Sequence, residues 1–342
     1  MIDDHDPNHH PARRGPRPLV ALPKAHLHVH LEGAMRPATL RDLCEAKGDP
    51  VPAVTARYAT FSDFQALYVA ARGAIASFED LSRLVREVVE DAAADGAVWI
   101  EPAVNLSEHG RLGPPEEVVE FLVAAAAAAT ADTGVGVGWM VTVDRTKDPA
   151  EAVSQAQVAA RYAGRGVVSL GLANDEARGE AAAFTEAFAV ARRAGLLATP
   201  HAGEHGGPES VGQAHQALGA VRIQHGVRAG EDPALLTGLA RHRVCLDVCP
   251  TSNVALGVVP TLAEHPLPTL LAAGVPCSIN ADDPLLFGVG LLDEYDHCRR
   301  HLGLGDEALA ACARSSIDHS GAPPAVKARA RAGIDHWLRS PE

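Results

Sequence analysis

Aromatic side chains are scarce in this 342-residue chain, at 4% of positions against 47% hydrophobic residues overall. The core must therefore be built from Ala, Val and Leu, with many alanine-rich helices. Basic residues are outnumbered, 30 Lys and Arg against 43 Asp and Glu, for a net charge of −13 with histidines neutral. That balance excludes a general affinity for phosphate backbones. It leaves room for a nucleoside or a free base, neither of which carries a phosphate. The six cysteines (Cys44, Cys245, Cys249, Cys277, Cys298, Cys312) form no CxxC pair and sit in apolar runs, so they read as buried free thiols and not as a disulfide framework. No apolar stretch is long and uninterrupted enough for a membrane span. Residues 1–18 are rich in His, Asp, Arg and Pro and lack an apolar h-region. They read as a disordered lead-in to a cytoplasmic protein and not as a signal peptide. His5, His9 and His10 belong to that polar tail.

From residue 19 to 342 one domain is expected. Short β-branched runs alternate there with longer helical stretches, the mark of a parallel α/β fold. Eight strands are expected, at 25–31, 98–104, 135–143, 167–173, 196–202, 222–227, 244–249 and 276–280. Amphipathic or alanine-rich helices are expected between them, over 78–95, 115–132, 149–163, 181–194 and 233–241. Eight strand–helix units predict a (β/α)8 TIM barrel. A doubly wound open sheet is the alternative, but no phosphate-binding Gly-rich loop follows the first strand. The stretch 48–77 is too long for a simple crossover and is expected to form a helical insertion partly covering the barrel mouth. Segments near 306–316 and 325–338 are expected as C-terminal helices.

A barrel of this kind carries its reactive groups on the loops at the C-terminal ends of its strands. The first strand reads Leu27-His28-Val29-His30-Leu31-Glu32. Alternation sends residues two apart to the same side, so His28 and His30 share a face and can meet one metal ion. His26, one step lower, is expected beneath them or in the core, and Glu32, one step higher, is expected at the substrate. The fifth strand ends His201-Ala202-Gly203-Glu204, a third imidazole with a carboxylate beyond a glycine that lets the chain turn. The sixth carries Gln224-His225-Gly226, and the eighth ends Ala281-Asp282-Asp283-Pro284, where one carboxylate is expected toward a metal and the next toward substrate. Cys249-Pro250-Thr251-Ser252-Asn253, after the seventh strand, reads as a structural turn with a supporting hydrogen bond. Three imidazoles and a carboxylate suit Zn2+, which takes N and O ligands and keeps a position open for water. His225 and Asp282 are then placed to orient that water and take its proton, and Glu204 to exchange protons with substrate.

Together, the order and spacing of Leu22-Pro23-Lys24, His28 and His30, Gly171-Leu172-Ala173-Asn174-Asp175-Glu176, His201-Ala202-Gly203-Glu204, Gln224-His225-Gly226 and Asp282-Asp283-Pro284 resemble the adenosine deaminase family of the amidohydrolase superfamily. The resemblance implies one Zn2+ per chain on His28, His30, His201 and Asp282. It implies that Glu204 protonates purine N1 as water adds to C6, that His225 is the base for the water, and that Asp283 meets N7. The backbone at Asn174 meets N3, and His30 and Glu32 complete the substrate contacts. The implied reaction is hydrolytic deamination of a 6-aminopurine nucleoside, adenosine to inosine in type, with release of ammonia. The combined H-x-E and P-C-x-x-C signature of the other zinc deaminases is absent, because no P-C-x-x-C occurs.

Two positions depart from the family pattern. Glu32 stands where members acting on adenosine carry an Asp that reaches the ribose 5′-hydroxyl. It resembles relatives acting on free adenine or on 6-amino-6-deoxyfutalosine. Asn174 stands where a glycine is usual. The competing readings are a cyclic-amide amidohydrolase, which Glu204 and Asp283 disfavour, and a catalytically silent purine-binding barrel. The latter is disfavoured because every implied ligand is present. The partner is a small molecule, not a nucleic acid or a membrane.

Overall fold

A computed structural model describes residues 17–55 and 57–340. Most of the expected disordered lead-in lies outside the described residues. Arg17 and Pro18, its last two, are tied down: Arg17 pairs with Asp306 at 2.8 Å, and Trp337 Nε1 donates to the Pro18 carbonyl at 2.9 Å.

The strands are β1 (Lys24–His30), β2 (Ala97–Val104), β3 (Gly136–Val137), β4 (Trp139–Asp144), β5 (Val167–Ala173), β6 (Leu197–Ala198), β7 (His201–Ala202), β8 (Arg222–His225), β9 (Cys245–Val248) and β10 (Cys277–Ile279). Every pairing between them is parallel. One run follows the order β1-β2-β4-β5-β6, with β3 also on β2, and the other β10-β9-β8-β7. The expected third and fifth strands are thus each split in two. The fifth breaks at Thr199-Pro200, where proline has no N–H to give the ladder, yet Gln224 N still reaches Pro200 O at 3.0 Å. The other seam closes where His30 N donates to Asp282 O and Asp282 N to His28 O, each at 3.0 Å. The result is the eight-position (β/α)8 TIM barrel.

Among the helices, α1 (Pro37–Lys47), α2 (Phe61–Gly73) and α3 (Phe78–Ala94) precede β2. α3 shows the local logic. Ser77 and Asp80 form a reciprocal capping box, and Leu81, Leu84, Val85, Val88, Val89 and Ala92 are buried along one face. By contrast, Ala71 is the single fully buried residue of α2. This helix from the expected insertion rides over the barrel mouth, with Phe64 stacked on Phe287 at 5.5 Å. The C-terminal helices are Asp306–His319 and Pro324–Arg339. The first is more than an extension, because it packs across the closing seam and its Ser316 Oγ accepts from Ala25 N at 2.9 Å.

The barrel floor is ionic. Arg222 is fully buried, donating to Asp247 at 2.7 Å and to Glu101 at 2.8 Å. Ser278 Oγ reaches Asp247 at 2.6 Å, and Asn280 Nδ2 reaches Ser278 at 2.8 Å. Asn280 Oδ1 accepts from the backbone of Leu27 and His28 at 2.7 and 3.1 Å. Replacing Arg222 with Leu strands two buried carboxylates. We expect equilibrium denaturation to show a loss of about 3–5 kcal/mol; a loss under about 1 kcal/mol would mean the network is not held by charge.

Candidate functional site

The alternation of β1 places His26, His28 and His30 on one face. His26 Nε2 accepts from Ala281 N at 3.1 Å. Burial, then the neighbouring His28, lowers its pKa to about 3. It therefore serves beneath the ligands, shaping the turn that carries Asp282.

His28 and His201 meet head-on. The Nδ1 of His28 lies 3.0 Å from the Asp247 carbonyl and that of His201 lies 3.0 Å from the Leu172 carbonyl. A carbonyl only accepts, so both Nδ1 atoms carry hydrogen and both Nε2 atoms present bare lone pairs. Those two nitrogens are 3.2 Å apart, a repulsive pairing unless a cation lies between them. Asp282 Oδ1 is 3.2 Å from His28 Nε2 and 3.3 Å from His30 Nε2, while its Oδ2 accepts from Ser252 Oγ at 2.7 Å. The ligand atoms of His28, His30, His201 and Asp282 all lie within 4.8 Å of one another. A second grouping draws in His225 and Cys249. However, the Cys249 sulfur faces His28 Nδ1, the nitrogen already committed to a carbonyl. Burial, then Asp282, also pushes that thiol well above its usual range. The three-histidine set is the one whose donor chemistry fits a divalent cation. His30 shows the same demand for positive charge: burial opposes protonation, but Asp283 and Asp282 outweigh it and raise the imidazole to about 9.

Asn174 (φ 83°), His225 (φ 62°) and Asp282 (φ 61°) are three of the four non-glycine residues with positive φ among those described. Such backbone costs about 1–3 kcal/mol per residue and clusters at functional sites. At Asp282 it is held by the two seam hydrogen bonds to β1.

The cleft above these residues has a volume of about 370 Å³, and its walls include Phe64, Gln65 and Tyr68 of α2. That size lies within the usual range for small-molecule sites. Glu204 and Asp283 line it, and Glu204 Oε1 and Asp283 Oδ1 are buried without a hydrogen-bond partner among the described residues. Burial, reinforced by Asp282 and then Glu176, holds the Glu204 carboxyl well above the ordinary range. Burial likewise raises Asp283, over the opposition of His30 and with support from Asp282 and Glu32. Burial thus favours the acid form of two carboxyl groups aimed at one space.

Glu32 does not extend the strand. The chain turns helical at Leu31 (φ −56°, ψ −49°), and Glu32 opens a 3-10 turn. Its carboxylate is buried with both oxygens engaged, one by His109 Nε2 at 2.5 Å and the other by Tyr68 Oη at 2.7 Å. Burial acts to raise its pKa, but these two bonds hold it down to about 2. Glu32 is not among the residues lining the cleft, whereas Tyr68, which donates to it, is. Asn174 does line it, with Oδ1 accepting from Gln65 of α2 at 3.0 Å.

Sequence reasoning missed several supporting residues. Glu176 accepts from the N–H groups of Gly203, Glu204, His205 and Gly206 at 2.8–2.9 Å, holding the loop that presents Glu204. Ser252 and Asn253, read as a turn with a supporting hydrogen bond, lie instead in the helix Pro250–Ala255, and they make such bonds, to Asp282 and His225 respectively. A proline at the first helical position was the available signal for that helix.

The chain matches the family profile described as adenosine deaminase over residues 23–337. It is 47% identical over 333 residues to a Streptomyces virginiae protein provisionally named an adenosine/adenine deaminase, covering 94% of this chain and 98% of that one. It is 37% identical over 295 residues to an aminodeoxyfutalosine deaminase of Acidothermus cellulolyticus, covering 82% and 83%. The crystal structure of an adenine deaminase from Arthrobacter aurescens superposes with a TM-score of 0.86 at 29% identity, covering 93% of this chain and 99% of that one.

Proposed function

The chain belongs to the adenosine deaminase family, and from that premise we propose that it is a zinc-dependent hydrolase that converts a 6-aminopurine nucleoside to its 6-oxo form with release of ammonia. The observation that carries this is the pair of partnerless carboxyl oxygens, on Glu204 and Asp283, beside a four-ligand cation site. His28, His30, His201 and Asp282 would hold the zinc. When bound, the ion supplies Lewis acidity, bringing the pKa of a water toward ~7.

The protein's own groups do the rest. Asp283, protonated, donates to ring nitrogen N7, and the backbone at Asn174 meets N3. Glu204 gives its proton to N1, which makes C6 electron-poor. The water oxygen bonds to C6, and one of its protons replaces the one Glu204 gave up. The other proton leaves with the amino group as the C6–N bond breaks, so water and aminopurine become oxopurine and ammonia. His225 faces the space between Glu204 and Asp282 and orients the water. All six cysteines are buried and free, which suits a reducing cytoplasmic setting.

A second reading, free adenine as substrate, is favoured by Glu32. The carboxylate that would take a sugar hydroxyl is spent on His109 and Tyr68. The test is an ultraviolet deamination screen of adenine, adenosine, 2′-deoxyadenosine, 5′-modified adenosines and aminodeoxyfutalosine. Turnover of none of them would sink the proposal. Glu32→Asp, with a shorter reach to His109, is expected to shift the ratio of kcat/KM between adenosine and adenine by about tenfold. An unchanged ranking would remove Glu32 from substrate selection.

A further inference from the structure

Asn253 sits between two imidazoles, and the chain of hydrogen bonds through it has only one consistent direction. It begins at a main-chain amide. Leu267 N lies 3.2 Å from His265 Nδ1. A backbone N–H can only donate, so this Nδ1 accepts. A doubly protonated ring would set N–H against N–H, so His265 is neutral and its hydrogen is on Nε2. That Nε2 lies 3.1 Å from Asn253 Oδ1, which accepts. The amide oxygen being so committed, Asn253 turns its Nδ2 toward His225 Nδ1 at 3.3 Å. An amide nitrogen is a donor, so His225 Nδ1 accepts, and the neutral ring carries its hydrogen on Nε2. That atom faces Glu204 Oε1 at 3.5 Å and Asp282 Oδ2 at 3.9 Å. His265, Asn253 and His225 are buried at 3%, 0% and 1% exposure, so solvent is not at hand to supply the reversed arrangement.

We propose that His265 and Asn253 are positioning residues that hold His225 in its Nε2–H tautomer, which makes it a hydrogen-bond donor to the attacking water oxygen and not the base that takes the water's proton. The tautomer follows from hydrogen-bond direction alone; its consequence for water rests on the deaminase reading. The expectation that His225 acts as base is thereby replaced. His225 gives up no proton and takes none. Its N–H supports the negative charge that gathers on oxygen as the bond to C6 forms, and the water's two protons go as described above, one to Glu204 and the other out with the amino group.

The decisive experiment is nitrogen-15 NMR of histidine-labelled, zinc-loaded full-length protein. The expected spectrum shows His225 and His265 each with a bare Nδ1 and a protonated Nε2. A His225 protonated on Nδ1 would overturn the proposal, and this measurement needs no variant. In Asn253→Asp, a carboxylate accepts from both sides, so His225 must donate from Nδ1 and bare its Nε2. The two His225 nitrogen signals are expected to exchange character. Zinc is retained, and kcat falls about tenfold or more, in keeping with the loss of one placed proton donor, while KM stays within about threefold. His265→Phe removes the anchor and should leave His225 in both tautomers. An unchanged His225 signature in either variant would refute the relay. Should the protein turn over no purine, the NMR results still decide the tautomer, so failure of the substrate reading is told apart from failure of this one.

Discussion

Glu204→Gln is expected to lower kcat by about 10³-fold with zinc content unchanged, the size expected for loss of a placed general acid–base group. The glutamine keeps the volume and the hydrogen-bonding reach but has no proton to transfer. The structure favours the acid form of the native carboxyl. Burial, then Asp282 and Glu176, raises it well above an ordinary glutamate. Its acid form is the competent one, so in the native enzyme kcat should decline as pH rises through that elevated pKa. The variant should lack this limb. Steady-state kinetics across pH, with metal analysis of the same samples, provide the check. A variant retaining more than a tenth of native kcat would remove Glu204 from the proton path.

The other large effect concerns the metal. His201→Ala is expected to bring zinc well below one per chain and activity to background. Loss of a partner behind a ligand already costs roughly 10–100-fold in metal affinity, and loss of a ligand should exceed that. Chelation of the native protein should abolish turnover, and added zinc should restore it. Zinc retention should weaken as pH falls, because the ligating nitrogen of each imidazole must be unprotonated to bind. His30, drawn to about 9 by its carboxylate neighbours in the absence of a cation, is where protons compete first. Full activity in protein shown to be metal-free would refute the mechanism.

What could be read in the sequence was what alternation and strand order control. His28 and His30 lie two apart on one strand, and the barrel rule places His201, His225 and Asp282 at the ends of later strands, so the cluster follows from local pattern plus topology. Glu32 was misplaced because alternation stops where the strand does. The helical backbone at Leu31 breaks the phase, and the residue that then captures the carboxylate, His109, lies 77 positions away. The contacts that define the supporting shell are of this kind. Glu176 grips a loop 27 to 30 positions downstream, and nothing in its own neighbourhood announces that. Gly33 is similar. A Cβ there would stand 1.6 Å from Asp283 Oδ1, a requirement visible only once the first and last strands are side by side.

That juxtaposition ties the chemistry to the time course of folding. The barrel's last seam is closed by Asp282 against His28 and His30, and in the same seam Leu27 bonds Asn280 across 253 residues of chain. Contacts between segments so distant are the slowest to form, because the entropy of closing the intervening loop must be overcome first. The histidines of the first strand therefore wait for the last one, and a ribosome that has delivered seven strands has not yet supplied Asp282, the carboxylate of the candidate metal site. A zinc ion held by His28, His30, His201 and Asp282 would be captured only on completion of the ring, and would add a tie across a seam that the main chain of His28, His30 and Asp282 already closes.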